Sequence, residues 1–136
     1  MKIQNIAGLV LRLLAAAILL QTLGFKFGAH PESVALFTKL GVEPWGRIFT
    51  GVVELIAGVL LIIRPTAIFG AFLAIGLMFG AIASHLFVIG IQSAGDGGQL
   101  FILACIVLLA AAVILLLYRK DLKKYGFIPE FIQRMV

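Results

Sequence analysis

The sequence predicts an all-α polytopic membrane protein, an antiparallel four-transmembrane-helix bundle with a short outer-face helix between spans one and two. Three observations lead there. Of 136 residues, 62% are hydrophobic and only 12% charged, with a mean hydropathy of +1.18; soluble domains run at roughly 45–50% apolar and about 25% charged. The apolar residues gather into four stretches close to the roughly 20 residues that a bilayer crossing needs. Four such spans and their connections use nearly the whole chain as a single transmembrane domain over residues 1–136, leaving no soluble catalytic domain.

The first span covers about residues 3–25, interrupted by Arg12 and Gln21. Lys2 and the small residues Ala15, Ala16 and Ala17 give it a superficial likeness to a signal peptide. The apolar run continues through Ile18, Leu19 and Leu20, however, and Arg12 would sit inside the hydrophobic region, so a retained span is expected. Pro31 and Glu32 then open a stretch in which Val34, Phe37 and Leu40 repeat at helical spacing before Gly41. Proline in a first turn and glycine as a stop mark a short helix on the outer face. The second span runs over about 46–63 with Glu54 inside it, and Arg64-Pro65 makes a tight turn into the third, about 66–91, which contains His85. The polar, glycine-rich stretch 92–98 leads into the fourth span, about 99–118, whose one ionisable group is Cys105. In the tail, 119–136, Phe131, Ile132 and Met135 fall opposite Glu130, Gln133 and Arg134 behind Pro129, the pattern of an interfacial anchor helix.

Charge sets the direction and removes several function classes. Lys2, Arg64, Arg119, Lys120, Lys123, Lys124 and Arg134 lie on one side, against Lys26, Lys39 and Arg47 on the other. Basic residues near span ends are retained in the cytoplasm, so both termini are expected there, with the protein in a bacterial inner membrane. The net charge of +5 does not point to nucleic acid, because the basic residues flank apolar segments instead of forming a face with aromatics between them. One cysteine excludes an intrachain disulfide, a CxxC pair and a multi-cysteine cluster, and two histidines leave little for zinc. No metal site and no catalytic residue is assigned. A bis-histidine haem site would need His30, which lies in the outer loop behind Pro31 with no evident route to His85.

The polar residues inside the spans are the candidates for function. An ionisable side chain near mid-bilayer costs at least ~2.5–3.5 kcal/mol and normally has a partner or a wet cavity. Counted from the cytoplasmic ends of antiparallel helices, Arg12 and Glu54 each lie about nine residues in, or ~13 Å deep. They can meet, as a structural ion pair or as one that also faces a ligand or proton path. Arg47, Gly51, Glu54 and Gly58 share one stripe of the second span, and Arg12, Leu19 and Lys26 one stripe of the first. Gly51 and Gly58 allow close helix approach, or room for a flat ligand beside Glu54. His85 is expected ~8 Å below the outer end of the third span, within reach of a polar pocket shared with Glu54, Lys26 and Asp96. Gly76, Gly80 and Ser84 form a small-residue row for packing against another helix, which makes a homodimer plausible. Gln21 lies opposite Arg12 around the first helix and faces another helix or a second protomer. Cys105, among apolar neighbours, is expected to be inert.

The run LRLLAAAILLQTLGFKFG with Arg12 early and Lys26 at its end, then Glu43-Pro44-Trp45-Gly46-Arg47, Glu54 with Gly58, Ser84-His85 and Asp96-Gly97-Gly98, resembles the DoxX family of small four-span bacterial membrane proteins, over about the whole chain. Some members are associated with quinone-linked oxidation, as in the thiosulfate:quinone oxidoreductase small subunit, or with membrane assemblies that handle thiol and oxidative stress. The resemblance implies a four-helix bundle in which Arg12, Lys26, Glu54 and His85 are the positions to suspect as ligand-binding. The chain has no redox cofactor motif of its own. The expectation is therefore a subunit or partner of a membrane oxidoreductase system, with an outer-facing pocket for a quinone or similar amphipathic molecule. A quinone needs hydrogen-bond donors to its carbonyl oxygens and an apolar groove for its tail, which Lys26, His85, Glu54 and the spans would supply. The alternative is a non-catalytic assembly factor or lipid-binding scaffold in which Arg12 and Glu54 are purely structural.

Overall fold

The structure is a computed structural model that describes residues 2–93 and 95–125, together with Glu130 and Arg134. The anchor helix expected in the tail lies outside the described residues. The chain is helical throughout its ordered elements, with no strand among the described residues. Helix α1 spans Ile3–Gln21 and α2 spans Leu23–Phe27. They form one apolar rod jointed at Thr22, whose hydroxyl lies 2.9 Å from the Leu19 carbonyl. Helix α3 (Pro31–Lys39) is the short helix expected between the first two spans: His30 caps it by accepting from the Glu32 N–H at 3.3 Å, and Gly41 leaves it at φ +76°. Helix α4 covers Trp45–Ile62, and the Arg64-Pro65 turn is a single 3₁₀ turn, Arg64–Thr66, that reverses the chain into α5, Ala67–Ser84. The third span then ends in a π-helical turn, His85–Ile89, and α6 runs over Gln99–Tyr118 into a 3₁₀ stretch, Arg119–Tyr125.

Four helical segments, Ile3–Phe27, Trp45–Ile62, Arg64–Ile89 and Gln99–Leu122, are long and apolar enough to cross a membrane. Helix α1 packs on α4 and α6, and α5 packs on the same two, so the four close a ring. Alanine dominates its interior: Ala15, Ala16, Ala57, Ala67, Ala71, Ala74, Ala104, Ala110 and Ala111 are buried around Leu19, Leu61, Ile68, Val107 and Ile114. Small side chains bring backbones close, which suits helices that gain nothing from hiding apolar surface when the surroundings are lipid. Gly70 shows the closest approach, since a Cβ there would stand 2.7 Å from the Leu61 nitrogen and 2.9 Å from the Ala57 carbonyl oxygen. The outward faces carry Leu13, Phe49, Phe72, Phe79, Leu109 and Leu116, all exposed, which is the surface expected of a protein solvated by lipid.

One end of the bundle carries the start of α1 and the end of α6; the other carries α3 and the loop residues 92–93 and 95–98. At the first, Arg64 donates to the Asp121 carboxylate at 2.8 Å and lies 3.6 Å over the Tyr118 ring. At the second, the Lys39 ammonium reaches the Ile89 carbonyl at 3.4 Å and ties α3 to the π turn.

Candidate functional site

The polar residues of the spans sort into three centres. At the α3 end, Lys26 on α2 and Glu54 on α4 form an ion pair at 3.0 Å, and the Thr22 hydroxyl lies 2.9 Å from the same carboxylate oxygen. Glu54 is 5% exposed and the Lys26 side chain 13%, so the pair is nearly dry but open at its Lys26 edge. Beside it the Arg47 Nε donates to both oxygens of Glu43, at 2.9 and 3.0 Å, and its Nη1 to the Lys26 carbonyl. The chain is folded to make this possible by the joint at Thr22, which turns that hydroxyl and Lys26 toward α4. Gly51 and Gly58 are filled positions: a Cβ on Gly51 would meet the Phe27 ring at 2.9 Å, and one on Gly58 would meet Leu20 at 2.7 Å. Of the two uses open to these glycines, close helix approach is the one adopted, and no space for a flat ring remains next to Glu54 on that stripe.

Arg12 does not reach Glu54. Its guanidinium donates to the Leu61 and Ile62 carbonyls at 3.2 and 2.8 Å, and to the Tyr118 hydroxyl at 3.1 Å. The reason is register. Leu20 opposes Gly58 and Phe27 opposes Gly51, so α1 starts well beyond the end of α4, and the two helices are not level at the terminal side. Arg12 therefore arrives at the last turn of α4, where carbonyls have no helical N–H to accept from and a cation is favoured by the helix dipole. Gly8 makes room for the Tyr118 ring that completes this cage.

His85 forms the third centre, apart from the Lys26–Glu54 pair. It is buried on the π turn, its Nδ1 donating to the Gly90 carbonyl at 2.9 Å while the Gly90 N–H donates to the His85 carbonyl at 2.8 Å. Its ring meets Phe101 edge-on at 5.8 Å. Asp96, expected in a shared pocket, instead caps the start of α6, accepting from the N–H groups of Ser93, Gly98 and Leu100 at 3.0, 2.8 and 3.1 Å. Burial works against its ionised form, but those N–H groups and the nearby His85 charge hold its pKa below the ordinary carboxylate value. Of the four suspected residues, then, the fold brings together Lys26 and Glu54 and keeps Arg12 and His85 each in its own setting.

Every buried side-chain nitrogen and oxygen among the described residues has a hydrogen-bond partner within the chain, and no group of His, Cys, Asp and Glu there is arranged to hold a metal. The small-residue row of α5 behaves differently from Gly51, Gly58 and Gly70: nothing lies within 4 Å of a Cβ at Gly76 or Gly80. It does not pack inside the bundle and faces outward. Gln21, too, is exposed, on the wall of a groove between α1 and α6. Thr22, Tyr118 and the Glu43–Arg47 pair were not singled out by sequence. Only the last left a readable signal, since Glu43 stands four residues ahead of Arg47.

In comparison with known families, the DoxX-like family model matches residues 10–115. No curated protein and no solved structure matches the chain.

Proposed function

Since the chain belongs to the DoxX-like family, and is with it a multi-pass membrane protein in contact with lipid, we propose that it is a non-catalytic membrane component. In this reading it is a subunit or assembly partner of a membrane oxidoreductase system, held in a bacterial inner membrane with both termini cytoplasmic. The carrying observation is that its buried charged side chains are engaged in holding the bundle together: Arg12 by the end of α4 and Tyr118, Glu54 by Lys26 and Thr22, and Arg47 by Glu43. General acid and base work needs a group free to exchange a proton with a substrate within hydrogen-bond reach; these three are held in pairs, and His85 engages Gly90 through Nδ1. The oxidoreductase association is supported by the family resemblance. Lys2, Arg64, Arg119 and Lys120 on the terminal side support the orientation. The open row of Gly76 and Gly80 on α5 is the face where a partner's span, or a second copy of the chain, would come close.

A second reading is favoured by the Lys26–Glu54 pair itself. An ion pair within a span is costly, and Lys26 keeps an exposed edge through which a quinone-like headgroup would accept a hydrogen bond from the ammonium.

Purification in mild detergent with nothing added tests both. The first reading expects a co-purifying protein that is lost in Gly80→Phe while the variant remains as thermally stable as the parent. A quinone found at one per chain, and lost in Lys26→Met and Glu54→Gln, would replace it with the second.

A further inference from the structure

Beyond that reading, the charges of the chain divide unevenly between the two ends of the bundle. At the α3 end Lys26, Lys39 and Arg47 stand against Glu32, Glu43, Glu54 and Asp96, so acids outnumber bases. At the end that carries the start of α1 and the close of α6, Arg12 is enclosed by α4 and Tyr118, and Arg64 is paired with Asp121 at 2.8 Å. Asp121 is the one acid between Asp96 and Tyr125, and no acid precedes Glu32. Up to residue 125, then, the sequence supplies no carboxylate at this end to balance Lys2, Arg119, Lys120, Lys123 and Lys124.

The fold fixes where this excess stands. The 3₁₀ stretch Arg119–Tyr125 is tied to the bundle at two points, since Asp121 is bonded to Arg64 of the α4–α5 turn and Leu122 packs against the core. Arg119 and Lys120 are exposed, and both lie near the close of the spanning segment Gln99–Leu122. Lys120 also belongs to the lipid side of α6. Ile102, Ile106, Leu109, Val113 and Leu116 are all exposed and follow one another by three or four residues, which places them on one face; the next step of that series is Lys120. An acyl chain lying along this face brings its headgroup to Lys120, and long basic side chains at span ends extend into the headgroup layer. Every phospholipid carries a phosphate there, but the cation of a choline headgroup cancels its charge. Cations without carboxylates among them therefore favour a lipid whose net charge is negative.

We propose that this end of the bundle, centred on Arg119 and Lys120, is a binding surface for anionic phospholipid, with an acyl chain along the Leu109, Val113 and Leu116 face and the phosphodiester among the basic residues. Selection is by net charge. The proposal rests on the four spans and not on the oxidoreductase association.

The test holds the full chain in detergent micelles doped with equal amounts of dioleoyl phosphatidylglycerol and dioleoyl phosphatidylcholine, and reads the lipid retained after washing by native mass spectrometry. Each basic residue near an anionic surface provides about a fivefold factor, so the parent should favour phosphatidylglycerol by about tenfold or more. Arg119→Gln/Lys120→Gln should lower that preference about fivefold or more, and adding Lys123→Gln and Lys124→Gln should bring it to about parity. Arg119→Lys, which keeps the charge, and Lys39→Gln, at the opposite end, should leave it unchanged. Equal retention of the two lipids by the parent overturns the proposal, as does a preference that survives in the fourfold variant or falls as far in Lys39→Gln. If the parent retains both lipids alike and the fourfold variant loses a co-purifying protein, the surface docks a protein and the proposal falls. The lipid ratio is read whether or not a partner sensitive to Gly80→Phe co-purifies, so either reading can fail without the other.

Discussion

A guanidinium inside an apolar helix persists only where its N–H groups find acceptors, and Arg12 finds three: two carbonyls at the end of α4 and the Tyr118 hydroxyl. The planar fork of arginine matters here, because a lysine ammonium on a similar stem cannot reach both sides of the cage. Arg12→Lys should therefore lower stability by about 1–3 kcal/mol, the range for leaving a buried polar group unsatisfied. Tyr118→Phe, which removes one hydroxyl and keeps the ring under Arg64, should cost less. Thermal unfolding of both variants in detergent checks this, and a lower midpoint for Tyr118→Phe than for Arg12→Lys would contradict the assignment. At this scale the sequence marked Arg12 and Glu54 as buried charges needing partners but named the wrong pair, because depth counted from helix ends assumes that the ends are level. Lys26, in the same stripe as Arg12, was the correct mate for Glu54.

Elements meet through glycines, and α5 holds two kinds. At Gly70 an added methyl would press on the backbone of α4 at 2.7 and 2.9 Å, atoms that cannot turn aside as a side chain tip does. At Gly76 it would meet nothing. Gly70→Ala should cost about 1–3 kcal/mol by forcing α4 and α5 apart, while Gly76→Ala should be neutral or gain up to about 1 kcal/mol from the better helix propensity of alanine. The two midpoints compared in one detergent decide it: equal shifts would mean that α4 and α5 are not packed as described. Both glycines read alike in the sequence as small residues in an apolar helix. What separates them is which side of α5 faces α4, and an almost uniformly apolar helix carries little amphipathic signal from which to infer its rotation.

For the whole molecule, the four apolar rods place their ends at two interfaces, and the single tryptophan reports one of them. Trp45 opens α4 at the α3 end and is 65% exposed, the position of an aromatic belt residue. In bilayers its fluorescence should be quenched more strongly by lipids brominated near the glycerol end of the chain than by those brominated near the chain terminus. The opposite order would place the start of α4 in the bilayer centre and invalidate the span boundaries.

Hydrophobic run length, the proline and glycine punctuation at Pro31, Gly41 and Arg64-Pro65, and the small residues were enough for the sequence alone to determine the all-α class, four spans and the interposed helix, while the order of the short motifs around Arg12, Arg47, Glu54 and His85 carried the resemblance to the family. These features act locally along one helix, so a linear reading recovers them. Only the tertiary structure decided the offset of α1 against α4, the joint at Thr22 that delivers Lys26 to Glu54, and the separation of His85 from that pair. Each of these depends on the axial slide and rotation of one apolar helix against another. In lipid, where every apolar face is equally well solvated, that choice is made by steric fit at a few small residues and by where the scarce polar groups can find one another.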